Sequence, residues 1–439
     1  MDKICIKLII RLWYQKIGVF VCYLNAPIAH CYTHYKKLQG AGYIAYFAGG
    51  WVRDFLMQHP SDDIDIATSA SVEEVAKLFP KTIPVGIAFG IIIVVENSHQ
   101  FEVATFRTDG PTLDGRRPQG INPATPEEDA KRRDFTINGL FYDPLKEKIY
   151  DYVGGKADIE KGIIKAIGDP HERFLEDRLR MMRAVRYSTR FNFPIDPATT
   201  AAILAHATSL FPSVAIERIF LEFKKMSLFS HFDQGLVTLH QLNLLPTIFP
   251  DLAGISSEEV EKRVSPIKHF PKNTPTIAEL LELFPNQSSD KLIKLCEYLK
   301  ISNPDKQLVQ YLHHAQTLLR MPKDWQENLE LVEWAHFYAN PHASLALDIM
   351  TAHLSSSEKP SFLQEHAERR SLLEKAIKRI QSHHPLVSAE LLMQEGIPPG
   401  KHLGLLLKEA ERLAVNHQLE DPKEIIALLK QSSFWKPDR

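Results

Sequence analysis

The chain is poor in cysteine. It has four in 439 residues, Cys5, Cys22, Cys31 and Cys296, and no C-x-x-C pair. That excludes a disulfide scaffold, and a reducing cytoplasm is the compartment that fits. It also lacks a surplus of charge of either sign. Lys and Arg number 52 against 54 Asp and Glu, a formal net charge of −2. Bulk charge therefore announces no nucleic-acid partner, and any such footprint must be local. Long hydrophobic runs are missing too. Ile17 to Leu24 is apolar and follows Lys3, Lys7, Arg11 and Lys16, the outline of a signal peptide. The run falls far short of the ~20 apolar residues of a membrane span. Residues 1–27 are read as an extension outside the core, and no membrane partner is expected. Repeats and low-complexity tracts are absent.

What is present is ordinary globular composition, 44% hydrophobic and 24% charged. That excludes a mainly disordered chain, a collagen and a polytopic membrane protein. A single core stops growing near ~250–300 residues, so this length predicts more than one domain. From about 28 to 155, short β-like runs alternate with helical stretches. Tyr43–Ala48 reads as a strand, Trp51–Gln58 as a short helix and Ile64–Ala67 as a second strand. Ser71–Phe79 is helical, opened by Ser71 with Glu74 three residues on, a capping box. Ile87–Val95 and Gln100–Arg107 flank a turn-like tetrapeptide and read as a hairpin. This is α+β with a mixed sheet. Beyond about 155, strand-like runs nearly vanish and helical periodicity dominates, so the rest reads as all-α. The Pro-rich stretch 266–275 is a plausible internal boundary.

The sharpest chemistry lies in Ala48-Gly49-Gly50, then twelve residues, then Asp63-Ile64-Asp65-Ile66. Two aspartates at i and i+2 of a strand point the same way and can reach one cation. Hard Mg²⁺ takes oxygen ligands and usually shares them with substrate phosphates. Two such ions can clamp the attacking and leaving oxygens of an in-line phosphoryl transfer. Glycines without Cβ let backbone approach phosphate, and the following helix start offers N–H donors. A third carboxylate is expected on a neighbouring strand, and Phe101-Glu102-Val103 supplies it. D-x-D alone is more often a solvated strand edge. The Gly-Gly at this spacing and the later apolar-Glu-apolar strand reverse that weighing.

These motifs resemble the DNA polymerase β nucleotidyltransferase superfamily. GGWVRD at 49–54, DDIDIAT at 62–68, RRDFTIN at 132–138 and EDRLRMMRAVR at 176–186 narrow the resemblance. Together they look like the class II tRNA nucleotidyltransferase (CCA-adding enzyme) and bacterial poly(A) polymerase family. The likeness is strong from about 40 to 230 and weaker beyond. It implies a palm at 28–155, a helical neck at 156–225, a body at 226–330 and a tail at 331–439. It also implies Mg²⁺ on Asp63 and Asp65, with Glu102 as third acid. The implied partners are CTP, ATP and tRNA, bound at its 3′ end and elbow. The sequence leaves oligomeric state open.

Gly50 belongs to the implied nucleotide site, and Arg53, three residues on, could grip a triphosphate. Guanidinium groups contact phosphate bidentately. The resemblance implies that Arg133 touches the nucleotide, while the residues alone leave open whether Arg132 or Arg133 dominates. Arg180, Arg183 and Arg186 recur every three residues and form one basic stripe on a helix. Such a stripe repels itself unless an anion neutralises it, and a triphosphate or RNA backbone would do so. Asp177 and Arg180 suggest a reader of bases. Cytosine and adenine show an amine donor beside a ring-nitrogen acceptor; uracil and guanine show the opposite polarity. A carboxylate beside a guanidinium therefore selects C and A. In the family, E-D-x-x-R serves as the template, and Glu176, Asp177 and Arg180 match it. Arg178 departs from the Pro or Ala expected there and is read as solvent-facing.

The segment from Arg107 to Pro126 is too long for a plain turn. In the family a loop here is tied to addition of the terminal A, and Asp114, Arg116, Arg117 and Pro118 fit the full-length form. Glu217 and Arg218 resemble the helix after the template and are expected to brace it. Residues 396–406 resemble the tail that contacts the tRNA elbow. His313, His314, His383 and His384 lack metal-like companions and are read as surface. The His-Asp dipeptide of phosphohydrolase domains is absent. The reading is a template-independent enzyme building the tRNA 3′ CCA. Its rivals are a bacterial poly(A) polymerase, an A-only or CC-only enzyme, and an inactive RNA-binding relative. A poly(A) polymerase usually carries a long basic C-terminal extension, whereas residues after Lys430 are few and not strongly basic.

Overall fold

Helix α1 (Ala26–Gly40) leads into strand β1 (Ala45–Ala48), and α2 (Gly50–Leu56) follows directly from the Gly-Gly turn. Then come β2 (Asp65–Thr68), α3 (Val72–Leu78), β3 (Thr82–Gly86), β4 (Ile91–Glu96) and β5 (His99–Thr105). Next are β6 (Arg107–Asp109), β7 (Ile121–Pro123), α4 (Pro126–Lys131), β8 (Leu140–Asp143) and β9 (Lys148–Asp151). The computed structural model describes residues 26–59, 61, 63–96, 99–109 and 121–435. Residues 1–25 of the expected extension 1–27, and Asp114, Arg116, Arg117 and Pro118, lie outside the described residues, whereas Ala26 and Pro27 open α1. The two flanks of that last segment, β6 and β7, pair with each other as a separate antiparallel ribbon.

Seven strands form one mixed sheet in the order β3-β4-β5-β2-β1-β8-β9. β2 runs antiparallel to β1 and parallel to β5. Alternation then assigns the two faces. Phe47, Ile66, Val103, Ile92, Val94 and Tyr142 point to one side and join residues of α1 and α3 in the main palm core. Tyr46, Ala48, Ala67 and Phe141 point to the other, where a smaller cluster with Phe106 and Ala130 covers part of the sheet. The rest of that second face carries the acidic residues.

The capping box at Ser71 forms: the Ser71 Oγ accepts from the Glu74 N–H, and the Ser71 N–H donates to Glu74. The hairpin forms as β4 and β5. Strand β3 went unread because Pro84 and Gly86 break its pattern. A strand with proline is tolerated at a sheet edge, and β3 is an edge strand. Ile87–Phe89, expected as the start of a strand, is a 3₁₀ turn closed by Gly90 at φ +66°.

After α5 (Gly155–Lys161) the chain is helical: α6 (Pro170–Glu176), α7 (Leu179–Phe191), α8 (Pro197–His206), α9 (Ile216–Met226), α10 (Phe232–Gln241) and α11 (Leu244–Ile248). Helix α7 buries Leu179, Met181, Met182, Ala184 and Val185, and Asn192 ends it at φ +54°. The chain divides into two compact units, residues 1–222 with 238–253, and residues 223–237 with 254–439. The second unit is helical, from Ser257–Val264 to Pro422–Leu429. One of its cores gathers Leu392, Leu406, Ala410, Leu413, Ile425 and Leu429. No helix among the described residues is long and apolar enough to cross a membrane.

Candidate active site

Asp65 opens β2 and lies opposite Ala48, the last residue of β1 before the Gly-Gly turn. Ile66 pairs with Val103 across the parallel ladder, so Glu102 lies beside Asp65 on the same face. Asp63, two residues before Asp65, is exposed, while Asp65 itself is half-buried. The three carboxylates sense one another. Burial, then the charges of Glu102 and Asp63, push the Asp65 carboxyl up to about 7, against a pull downward from Arg133. Glu102 is likewise raised, by burial and then by Asp63. Such crowding of like charge is what a divalent cation relieves.

Asp65 on β2 and Glu102 on β5 are hard oxygen donors on one sheet face, with Asp63 just ahead of β2; such donors fit Mg²⁺, which takes one or two carboxylates and completes its shell from water and phosphate. Among the described residues, no three His, Cys, Asp or Glu side chains close around an ion by themselves.

Gly49 forms the floor of the turn at φ +63°, and its N–H donates to the Leu140 carbonyl. A Cβ there would lie 2.9 Å from the Arg133 Nη1. Backbone and guanidinium therefore meet with no room for a side chain. Arg133 reaches this place through α4. A capping box of Thr125 and Glu128, with Pro126 at the first position, starts that short helix. Asp129 then faces inward and accepts from both arginines. Arg132 donates to Oδ1 at 2.7 Å and Arg133 to Oδ2 at 3.0 Å. Burial would raise the Asp129 carboxyl, but Arg133 and Arg132 hold it below its ordinary range. Arg133 also stacks on Phe141 and donates to the Asn138 carbonyl. Arg132 donates to the Arg107 carbonyl. Of the pair, Arg133 is the one whose charge acts on Asp65.

Arg53 needs correction. It is 2% exposed, donates twice to Asp54 and once to Asn138, and stacks under Phe191. A guanidinium so enclosed positions α2, and its donors are turned to Asp54 and Asn138 in place of the triphosphate expected.

The basic stripe on α7 also differs from expectation. Its self-repulsion is answered inside the chain, by four carboxylates from other segments. Arg180 meets Glu176 at 2.6 Å, Arg183 meets Asp134, Arg186 meets Glu222 at 2.6 Å and Arg190 meets Asp54 at 2.8 Å. Asp134 is buried, which would raise it, yet Arg183 above all holds it far below the usual carboxylate range. Arg186 is 7% exposed and lies over the Tyr187 ring. Arg183 and Arg186 thus tie α7 to the palm motif and to α9, in place of the external anion expected.

Glu176, Asp177 and Arg180, expected as a template, sit at the joint between α6 and α7. Asp177 caps the end of α6, and its Oδ1 accepts from the Leu179 N–H. Its Oδ2 faces Arg218 at 3.4 Å. Arg180 donates to Glu176, to the Arg173 carbonyl and to the Arg132 carbonyl. Arg180 is therefore fixed to the segment that carries Arg133. Arg178 is half-buried, not solvent-facing, and no acceptor among the described residues meets its Nε. His313 is half-buried against the Gln287 carbonyl, whereas His314, His383 and His384 are exposed.

Sequence reasoning missed Asp54, Asp129, Asn138 and Glu222. Asn138 joins the network, accepting from Arg53 and donating to Asp134. The acids stood within or beside the motifs, but only the fold pairs them with arginines as far as 136 residues away.

Residues 45–165 match the family model described as the Poly A polymerase head domain. Residues 192–255 match one described as "Probable RNA and SrmB- binding site of polymerase A". A curated relative, a CCA-adding enzyme of Pediococcus pentosaceus, is 34% identical over 411 residues, 92% of this chain and 97% of its own. The crystal structure of the Bacillus stearothermophilus CCA-adding enzyme in complex with CTP is similar with a TM-score of 0.76 at 29% identity, over 93% of this chain and 98% of that one. The Thermotoga maritima CCA-adding enzyme complexed with tRNA has a TM-score of 0.65 at 19% identity, over 93% and 96%, a likeness of fold alone.

Proposed function

This chain belongs to the class II CCA-adding enzyme and poly(A) polymerase family, and from that premise we propose that it builds the 3′ CCA of tRNA from CTP and ATP. The observation that carries the reading is the Asp65 carboxylate, opposite Ala48 before the Gly49-Gly50 turn and beside Glu102, with the charges of Glu102, Asp63 and Arg133 all acting on it.

The RNA 3′-oxygen bonds to the α-phosphorus of the bound nucleotide, and the bond from that phosphorus to the β-phosphate bridging oxygen breaks. Pyrophosphate leaves and the hydroxyl gives up its proton. Asp63 and Asp65 would hold Mg²⁺, with Glu102 beside them; when bound, the metal lowers the cost of the 3′-oxyanion and of the leaving charge. Gly49 and Gly50 let the triphosphate lie against backbone, and Arg133, held by Asp129, faces it. Asp177 and Arg180 read the base. Arg218 at 3.4 Å is a long contact that an incoming amine displaces at little cost. Uracil or guanine would set carbonyl against carboxylate and N–H against guanidinium. Each buried group so left unpaired costs about 1–3 kcal/mol. Asp54, Asp134 and Glu222 keep α7 in place while this happens. Head, neck, body and tail, with the tail on the tRNA elbow, complete the proposal.

The test uses purified protein, Mg²⁺, labelled nucleotides, and tRNA ending before CCA, after C, or after CC. Addition of C, C and A followed by a stop supports the reading. Long A tracts support a poly(A) polymerase, addition to one substrate alone an A-only or CC-only enzyme, and no incorporation an inactive relative.

A further inference from the structure

Helix α6 is anchored at its far end by a contact that the reaction does not use. His171, in its first turn, and His206, the last residue of α8, bring their rings together. The His171 Nδ1 and the His206 Nε2 are 3.1 Å apart, and the rings meet nearly edge to face at 72°. Asp169 caps the same turn, accepting from the His171 N–H.

Two imidazole nitrogens at this separation can share a proton. They can equally share a metal. Zinc–imidazole bonds are about 2.0–2.1 Å. Two such bonds at right angles put their nitrogens about 2.9 Å apart, and at the tetrahedral angle about 3.4 Å apart. The observed 3.1 Å lies between them. The two nitrogens are therefore already at the separation that one ion needs, and a turn of the rings out of the shared hydrogen bond aims both lone pairs at it. Imidazole suits Zn²⁺, Ni²⁺ and Cu²⁺ and not Mg²⁺, so the site is chemically distinct from the carboxylates on the sheet. His171 is exposed and His206 half-buried, which leaves water to fill the remaining positions.

We propose that His171 and His206 form a two-histidine clasp for Zn²⁺ or a similar transition-metal ion. The ion replaces the shared proton and staples α6 to α8. The opposite end of α6 carries Glu176 and Asp177, so the staple acts on the helix that presents the template.

The experiment is calorimetric titration of Zn²⁺ into the chelator-stripped full chain, with millimolar Mg²⁺ present throughout to occupy the carboxylates. The clasp predicts a Zn²⁺ site whose affinity falls about tenfold or more in His171→Gln and in His206→Gln, as loss of a ligand does. Glutamine keeps a hydrogen-bonding partner but no imidazole. His383→Gln, outside the clasp, should bind as the parent does. An isotherm unchanged in His206→Gln, or no Zn²⁺ uptake by the parent, overturns the proposal.

Discussion

Asp65→Asn should stabilise the metal-free protein at the same time as it removes activity. The Asp65 carboxyl titrates near 7 because it is buried beside Glu102 and Asp63, against about 3.9 in an unfolded chain. Between those values the folded state holds a proton that the unfolded state has lost. Folding stability from this group is therefore complete below about pH 4 and falls away as pH rises through 7. At pH 8 the difference of about three units, at 1.36 kcal/mol each, sets an upper bound of about 4 kcal/mol. Asparagine has nearly the shape of the protonated acid and carries none of this penalty. Urea or thermal melts of parent and variant in chelator should draw together as pH falls to about 3.5, below the unfolded carboxyl's value. They should separate at pH 8, the variant melting several degrees higher. Mg²⁺ should then raise the midpoint of the parent and leave the variant unmoved, because a ligand stabilises only the state that binds it. A variant melting at or below the parent at pH 8 refutes the crowding of the three acids.

Gly49→Ala faces a φ of +63° and a clash with Arg133 at 2.9 Å. It should cost about 1–3 kcal/mol in urea denaturation and raise the KM for CTP. Arg186→Met strands the buried Glu222 and should destabilise by about 3–5 kcal/mol, with much of the loss regained in the double variant with Glu222→Leu. Equal losses in the single and double variants would show the pair to be uncoupled. Arg180→Ala should loosen rejection of UTP and GTP, measured as ratios of kcat/KM; unchanged ratios would remove it from the template. Arg53→Lys, which keeps charge but loses the fork to Asp54, should lower the urea midpoint more than it changes KM for either nucleotide.

Local patterns made much of this molecule legible. The Gly-Gly turn and the Ser71 capping box are short-range features, and each formed where the residues placed it; of the two aspartates expected on one strand, only Asp65 lies in β2, and Asp63 precedes it. The parallel partner of β2 could be foreseen only as an acid between apolar residues, and the register then set Glu102 beside Asp65. The stripe on α7 shows where such reading stops. Periodicity shows that Arg180, Arg183 and Arg186 share a face, but what they meet depends on elements 36 and 49 residues away, such as Glu222 and Asp134. A repelling stripe demands anions and does not say whose. The surroundings of Arg53 were hidden for the same reason, since it donates to Asn138, 85 residues on. Strand β3 was hidden because edge position, which makes its proline harmless, is itself a property of the assembled sheet.

The direct test of the account is a crystal of the protein soaked with Mn²⁺ and CTP and measured for anomalous scattering. The account predicts a peak bridging Asp63 and Asp65 and a phosphate oxygen of the nucleotide, at about the 2 Å expected of a small hard cation. Bound CTP with no anomalous peak at these two carboxylates would contradict it.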